Sequence, residues 1–154
     1  MTLENILLKY NADIRLVKSQ AATLIKIKFV QYELDNIFPE ELEAFLLESN
    51  GLDEYMNVNG EILHIANLIW NVDKILQYNR DFRNDESIKN TYMPIDCLLF
   101  IGDINGSPFG YAVINKEAKN RHIYIWDKID DSRTWIASDI LEVIKGYLQN
   151  TIRY

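Results

Sequence analysis

Two histidines, one cysteine and a few aspartates are the residues of this chain with the chemistry to form a reaction centre. A thiol attacks only when a base or a lowered pKa turns it into a thiolate, so Cys97 would need His64 or His122 beside it. Nothing in the local sequence supports such a pair. Neither histidine stands at ligand spacing from another His or Cys, and the chain has no HExxH, CxxC or GxxxxGK[ST]. Asp103-x-Asn105-x-Ser107 opens like a calcium loop. It then has Pro108 where the sixth position wants Gly, and Ile114 where the twelfth wants a bidentate Glu. Gly102, Gly106 and Gly110, spaced by four, match neither a phosphate loop nor a dinucleotide fingerprint. Asp103 and Asp127 could act as a carboxylate pair in acid–base work, but aspartates at strand ends more often close a turn. The expectation is therefore no catalytic residue, no metal and no cofactor.

Charge is more informative. The net charge of −7 argues against nucleic acid, whose phosphates call for a basic patch. No Lys or Arg occurs between Lys28 and Lys74, a stretch with ten acids: Glu33, Asp35, Glu40, Glu41, Glu43, Glu48, Asp53, Glu54, Glu61 and Asp73. The rest of the chain is slightly basic, so the acidity resides in one segment. Such a segment is either a solvated face or an electrostatic docking surface for a basic protein, where complementary potential speeds encounter and rejects wrong partners. The candidate protein-binding residues are Glu40, Glu41, Glu43, Leu47, Glu48, Asp53 and Glu54. Leu47 projects between Glu40 and Glu43, where an apolar residue ringed by charge can anchor an interface. Alternatively, the stretch from Asp53 to Glu61, read as a loop, covers it.

These residues must be held by one domain of 154 residues, rich enough in apolar side chains to bury a core. A single cysteine allows no internal disulfide and suits a reducing compartment. Cys97 lies in the apolar run from Ile95 to Ile101, which reads as a buried structural thiol. The first residues lack a signal-peptide pattern, and no apolar run approaches a membrane span. A soluble cytoplasmic protein is expected, with no membrane contact.

Leu3, Ile6, Leu7, Tyr10, Ile14 and Val17 are spaced for one buried helical stripe over residues 2–18. The next segment is ambiguous. Ile25 to Phe29 alternates like a strand, whereas Leu24, Ile27, Gln31 and Leu34 would stack on a helix capped by Thr23. Residues 39–49 read as a helix opened by Pro39 and stopped by Asn50-Gly51, with Leu42, Phe45 and Leu46 inward. Asn59-Gly60 marks a turn, and Glu61 to Ile65 a strand. Residues 70–83 read as a helix and 84–91 as a polar loop. Strands follow near 97–101, 109–114 and 121–127, joined by Asp103–Pro108 and by Lys116–Asn120. A helix over 139–149 closes the chain, with Ser138 or Asp139 as cap. Helices with a largely antiparallel sheet make an α+β domain, and Trp126 on the last strand needs an apolar face for its ring.

The order of these segments resembles the SUKH superfamily, which includes yeast regulators of cell-wall assembly and many bacterial immunity proteins. The resemblance runs from Thr23 to Leu148. It rests on Ile37-Phe38-Pro39-Glu40-Glu41-Leu42, on Phe45 through Asn50-Gly51, on Phe100-Ile101-Gly102-Asp103 with Gly106, on Ile123-Tyr124-Ile125-Trp126-Asp127, and on Ala137-Ser138-Asp139-Ile140-Leu141. Lys128 follows Trp-Asp where a His is common, and the turn after Gly102 is poorer in glycine than usual. The resemblance resolves the second segment as a helix. It implies a mixed sheet flanked by helices, no enzymatic activity, and a protein partner: a cognate toxin, often a nuclease, or several partners if the chain is instead a scaffold or regulator in cell-envelope signalling.

Overall fold

The computed structural model describes residues 1–11 and 15–154. Helix α1 (Leu3–Tyr10) starts at Thr2, whose hydroxyl accepts the Asn5 N–H at 3.1 Å. The expected helix over 2–18 is thus corrected. Asn11 ends it: its side-chain amide exchanges two hydrogen bonds with the Leu16 backbone, at 3.0 and 3.1 Å, as a neighbouring strand would. Arg15–Lys18 is strand β1, so Val17 belongs to a sheet edge, while Ile14 falls outside the described residues.

The ambiguous segment is helix α2 (Leu24–Leu34), capped by Thr23, whose hydroxyl accepts the Lys26 N–H at 3.2 Å. Its inner face is Ile27, Val30 and Leu34, and Leu24, Ile25, Phe29 and Tyr32 remain exposed outside. Apolar residues on both faces are what made its period unreadable. Helix α3 (Glu40–Glu48) follows and buries Leu42, Phe45 and Leu46.

Next come β2 (Leu52–Val58) and β3 (Glu61–Ile69), a hairpin closed by Asn59 at φ 52° and Gly60 at φ 86°. Positive φ at both central residues is the hairpin geometry whose twist matches that of paired strands. The expected loop over Asp53–Glu61 is therefore mostly strand. Helix α4 (Val72–Asn84) is capped by Asn71, and the expected loop over 84–91 holds a short helix, α5 (Glu86–Thr91), capped by Asp85. The meander β4 (Leu98–Ile104), β5 (Ser107–Ile114), β6 (Glu117–Asp127) and β7 (Ser132–Ala137) leads into α6 (Ile140–Leu148). Asn105-Gly106 and Asn115-Lys116 close two of its hairpins with positive φ at both positions. Residues 117–120, expected in a connection, already belong to β6, where Glu117 and Ala118 pair with Ile114 and Val113, and Ser132–Ala137 adds a strand beyond those expected from the sequence.

The seven strands lie side by side in chain order, each pair antiparallel. The chain is α+β, as expected. The weakest junction is between β3 and β4, which pair only at Ile69 and Gly102, with one further bond from the Trp70 N–H to the Ile101 carbonyl. A Cβ on Gly102 would stand 2.0 Å from the Leu68 carbonyl oxygen, so close backbone approach accounts for this glycine. Trp126 is fully buried among Phe82, Tyr92 and Phe100, and its indole N–H donates to Asp131 at 2.8 Å. Among the described residues no helix is long and apolar enough to cross a membrane.

Candidate functional site

Cys97 is exposed, which corrects the expectation of a buried thiol. It ends the turn before β4 and faces outward, with Sγ 3.2 Å from the Pro94 carbonyl and 2.9 Å from Arg133 Nη1. His64 Nε2 lies 3.3 Å from Asp53 Oδ1 and its ring stacks edge-on against Tyr55; His122 is exposed. No Cys–His contact forms among the described residues. Asp103 accepts the Gly106 N–H at 3.1 Å and Asp127 the Ile129 N–H at 2.9 Å, so each closes its own turn. Among the described residues no group of three or more His, Cys, Asp or Glu could hold a metal ion.

The acidic segment is less bare in space than in sequence. Bases from outside it pair with five of its acids: Arg80 with Glu33, Lys116 with Asp35 at 2.8 Å, Lys28 with Glu43 at 3.1 Å, Lys18 with Glu48 at 3.0 Å, and Lys26 with Asp73 at 2.9 Å. Most of these pairs are exposed and individually weak, but together they blunt the field expected from the sequence.

The candidate binding residues consequently divide. Glu40 is exposed and has no ion pair among the described residues. Leu47 is 42% exposed, so β2 does not cover it. Glu43 leans toward α2, where Gln31 also reaches it at 3.3 Å. Asp53 is half-buried and held by the Ser19 hydroxyl at 3.0 Å, by Asn67 and by His64. Glu54 is corrected from exposed to buried. Successive strand residues point to opposite faces, so while Asp53 meets Ser19, Glu54 turns inward to α6. There the Tyr147 hydroxyl lies 2.7 and 2.9 Å from its two carboxylate oxygens. Burial and this neighbouring carboxylate raise the Tyr147 pKa far above the ordinary phenol value.

Glu41 leans to the other flank of α3, toward α6. With Glu48 and Asp139 it lines a groove of about 360 Å³ whose apolar walls are Leu3, Ala44, Phe45, Ile140 and Leu141. Glu41 Oε1 and the Tyr111 hydroxyl are both buried, and the two side chains are hydrogen-bonding neighbours. Burial raises the Glu41 carboxyl above its ordinary 4.5, the Tyr111 hydroxyl beside it opposes this, and the Asp139 carboxylate adds to it. Burial next to Glu41 likewise raises Tyr111. Asp139 itself caps α6, accepting the Glu142 N–H at 2.8 Å, while Glu142 accepts the Ser138 N–H at 2.6 Å. The sequence pointed to Glu41 as an exposed acid. That it forms a groove with Asp139 could not be read there, because the contact joins residues almost a hundred positions apart.

The chain is an α+β protein with an acidic groove between α1, α3 and α6. Residues 21–146, well over half of the chain, match the model of the SMI1 / KNR4 family (SUKH-1), and the chain belongs to that family. No individual curated protein matches it.

Proposed function

We propose that this chain is a non-catalytic, cytoplasmic protein-binding domain of the immunity type, which holds a basic surface of a cognate toxin against the acidic end formed by α3 and the start of α6. The observation that carries the reading is the contrast among the acids. Glu33, Asp35, Glu43, Glu48 and Asp73 each have a basic partner, whereas Glu40 and Glu41, with Asp139 beside them, have none among the described residues. Charge left uncompensated on a folded surface costs self-repulsion, and a cationic partner relieves it. Leu47, exposed next to Glu40 and Glu43, supplies an apolar contact inside the charged rim. A nuclease fits this role, since it carries a basic cleft for its own substrate.

Co-expression tests the reading. The product of the gene encoded beside this one is produced with and without the chain, and cell survival and complex formation are scored. Protection by the wild-type chain, lost with Glu40→Lys combined with Leu47→Asp, is the expected result. Full protection by that double variant contradicts the docking surface. A non-toxic neighbour, together with several partners bound weakly, favours the envelope-scaffold role instead.

A further inference from the structure

We propose that the outer face of α2 is the interface of a two-fold dimer of this chain, in which α2 lies antiparallel against α2 of a second copy.

Helix α2 buries Ile27, Val30 and Leu34. At 100° per residue its opposite face runs through Ile25, Phe29 and Tyr32, at i, i+4 and i+7. That spacing is what a helix presents to another element, yet these side chains stand in solvent: Ile25 is 84%, Tyr32 82% and Phe29 48% exposed. Apolar residues scattered singly over a surface need no explanation. A continuous stripe along one 11-residue helix does.

The charges beside the stripe identify its occupant. On the helical wheel one flank carries Lys26 and then Glu33, and the other carries Lys28 and then Asp35, the C-terminal cap. Both flanks are therefore basic toward the N-terminus and acidic toward the C-terminus. When two such helices lie antiparallel, like flanks face each other and run in opposite directions. Lys26 then meets Glu33 of the second copy, and Lys28 meets its Asp35. A parallel pairing would set Lys26 against Lys28 and Glu33 against Asp35, which repel. A two-fold interface has to be complementary to itself, and this face is so in the antiparallel arrangement alone.

The ion pairs within each copy fit the same arrangement. Lys26 pairs with Asp73, Arg80 with Glu33, Lys28 with Glu43 and Lys116 with Asp35. Across the interface the signs continue to alternate, from Arg80 to Glu33, to Lys26 of the second copy and to its Asp73. The charge of −7 on each copy opposes association. At physiological ionic strength screening over about 8 Å confines that repulsion to near neighbours, and the near neighbours here are opposite in sign. Helix α2 is only about 16 Å long, which makes the contact smaller than the roughly 800 Å² per partner of a standard interface. The dimer is therefore expected in the micromolar range.

Sedimentation equilibrium of the full chain, from low micromolar to millimolar concentration, tests the proposal. The expected result is a reversible monomer–dimer equilibrium. Ile25→Asp, at a position where the side chain already faces water, weakens it by about tenfold or more without lowering the thermal midpoint. Lys26→Glu and Glu33→Lys each weaken self-association, because each sets like charges against each other twice across the two-fold axis. An equimolar mixture of these two variants recovers the dimer, since one contact is then wild-type and the other is reversed in sign on both sides. The recovery separates a contact between copies from any effect within one copy, which mixing leaves unchanged. A monomer at every concentration, a dimer indifferent to Ile25→Asp, or a mixture no more associated than its two components overturns the proposal. It does not depend on the docking reading, and because the chain is measured alone, its failure leaves the co-expression result untouched.

Discussion

Asn79 acts as a missing strand for Phe100. Its side-chain amide donates to the Phe100 carbonyl at 2.8 Å and accepts the Phe100 N–H at 2.9 Å, so one buried residue of α4 satisfies both backbone groups of a β4 residue. It also donates to the Ile75 carbonyl at 2.7 Å. One helical turn further on, Arg83 reaches the Leu98 carbonyl at 3.5 Å along with the Leu34 carbonyl and Asn36. Strands β3 and β4 diverge beyond the Ile69–Gly102 pair, and α4 fills the gap with side chains. A buried polar group without a partner is costly, so this junction depends on the amide.

Replacing Asn79 with Ala is expected to cost about 1–3 kcal/mol for each of the two orphaned Phe100 groups. Asn79→Asp should also destabilise, because it loses the donor and buries a charge, and it should recover in part at low pH, where the carboxyl regains a proton. Urea unfolding of the two variants at neutral and acidic pH measures both effects. An Asn79→Ala variant as stable as the wild type would show that β4 does not need the side chain.

Several features of this architecture are legible in the sequence. Residues 39–49, the closing helix and the burial of Trp126 follow from apolar spacing, capping residues and the size of an indole. Other features depended on contacts that a sequence does not display. Asn11 breaks the first helix by bonding Leu16 across a segment whose apolar spacing looked continuous. Glu54 reads as one more surface acid until Tyr147, at the far end of the chain, turns it inward. The cluster of acids read as bare because its lysines and arginines lie elsewhere in the sequence. The groove at Glu41 brings together α1, α3 and α6, and no local period announces it.

The raised Glu41 carboxyl has a signed consequence for stability. The folded chain holds this proton more tightly than the unfolded chain, so between the ordinary value of 4.5 and the raised folded value the native state binds more protons. Stability is then lost as pH rises through that window. Glu41→Gln removes the titration. Its stability relative to wild type should therefore improve from below pH 4.5 upward and level off once Glu41 is ionised in both states, as measured by thermal unfolding over a pH series. A difference that is flat across the series contradicts the desolvated setting of Glu41.

Asp131 holds the turn between β6 and β7. It accepts from the Trp126 indole at 2.8 Å, the Met93 N–H at 3.1 Å and Arg133 at 3.0 Å. Burial alone would raise its carboxyl, but these donors hold it below the ordinary carboxylate value. Asp131→Ala is expected to lower stability by about 1–3 kcal/mol, since it leaves the buried indole N–H without a partner. Tryptophan fluorescence should change with it. Unchanged fluorescence and an unchanged unfolding midpoint would count against this role.

Glu54 and Tyr147 provide an internal control for docking. Tyr147→Phe leaves a buried carboxylate without its hydroxyl donor and should destabilise the chain by about 1–3 kcal/mol. Because Glu54 does not face solvent, Glu54→Gln should leave the rate of partner association at its wild-type value. A slowed association with Glu54→Gln, at preserved stability, would mean that the buried pair opens during docking.

The salt dependence of partner association tests the docking surface most directly. Stopped-flow association of the purified partner is recorded across a range of ionic strength for the wild type, Glu40→Lys and Glu54→Gln. Screening removes long-range attraction between exposed charges, so the wild-type rate should fall steeply with salt. Glu40→Lys should be much slower at low salt and converge on the wild type at high salt, while its thermal stability stays within about 0.5 kcal/mol. Identical rates and identical salt slopes for the wild type and Glu40→Lys would contradict the claim that the acidic end of α3 receives the partner.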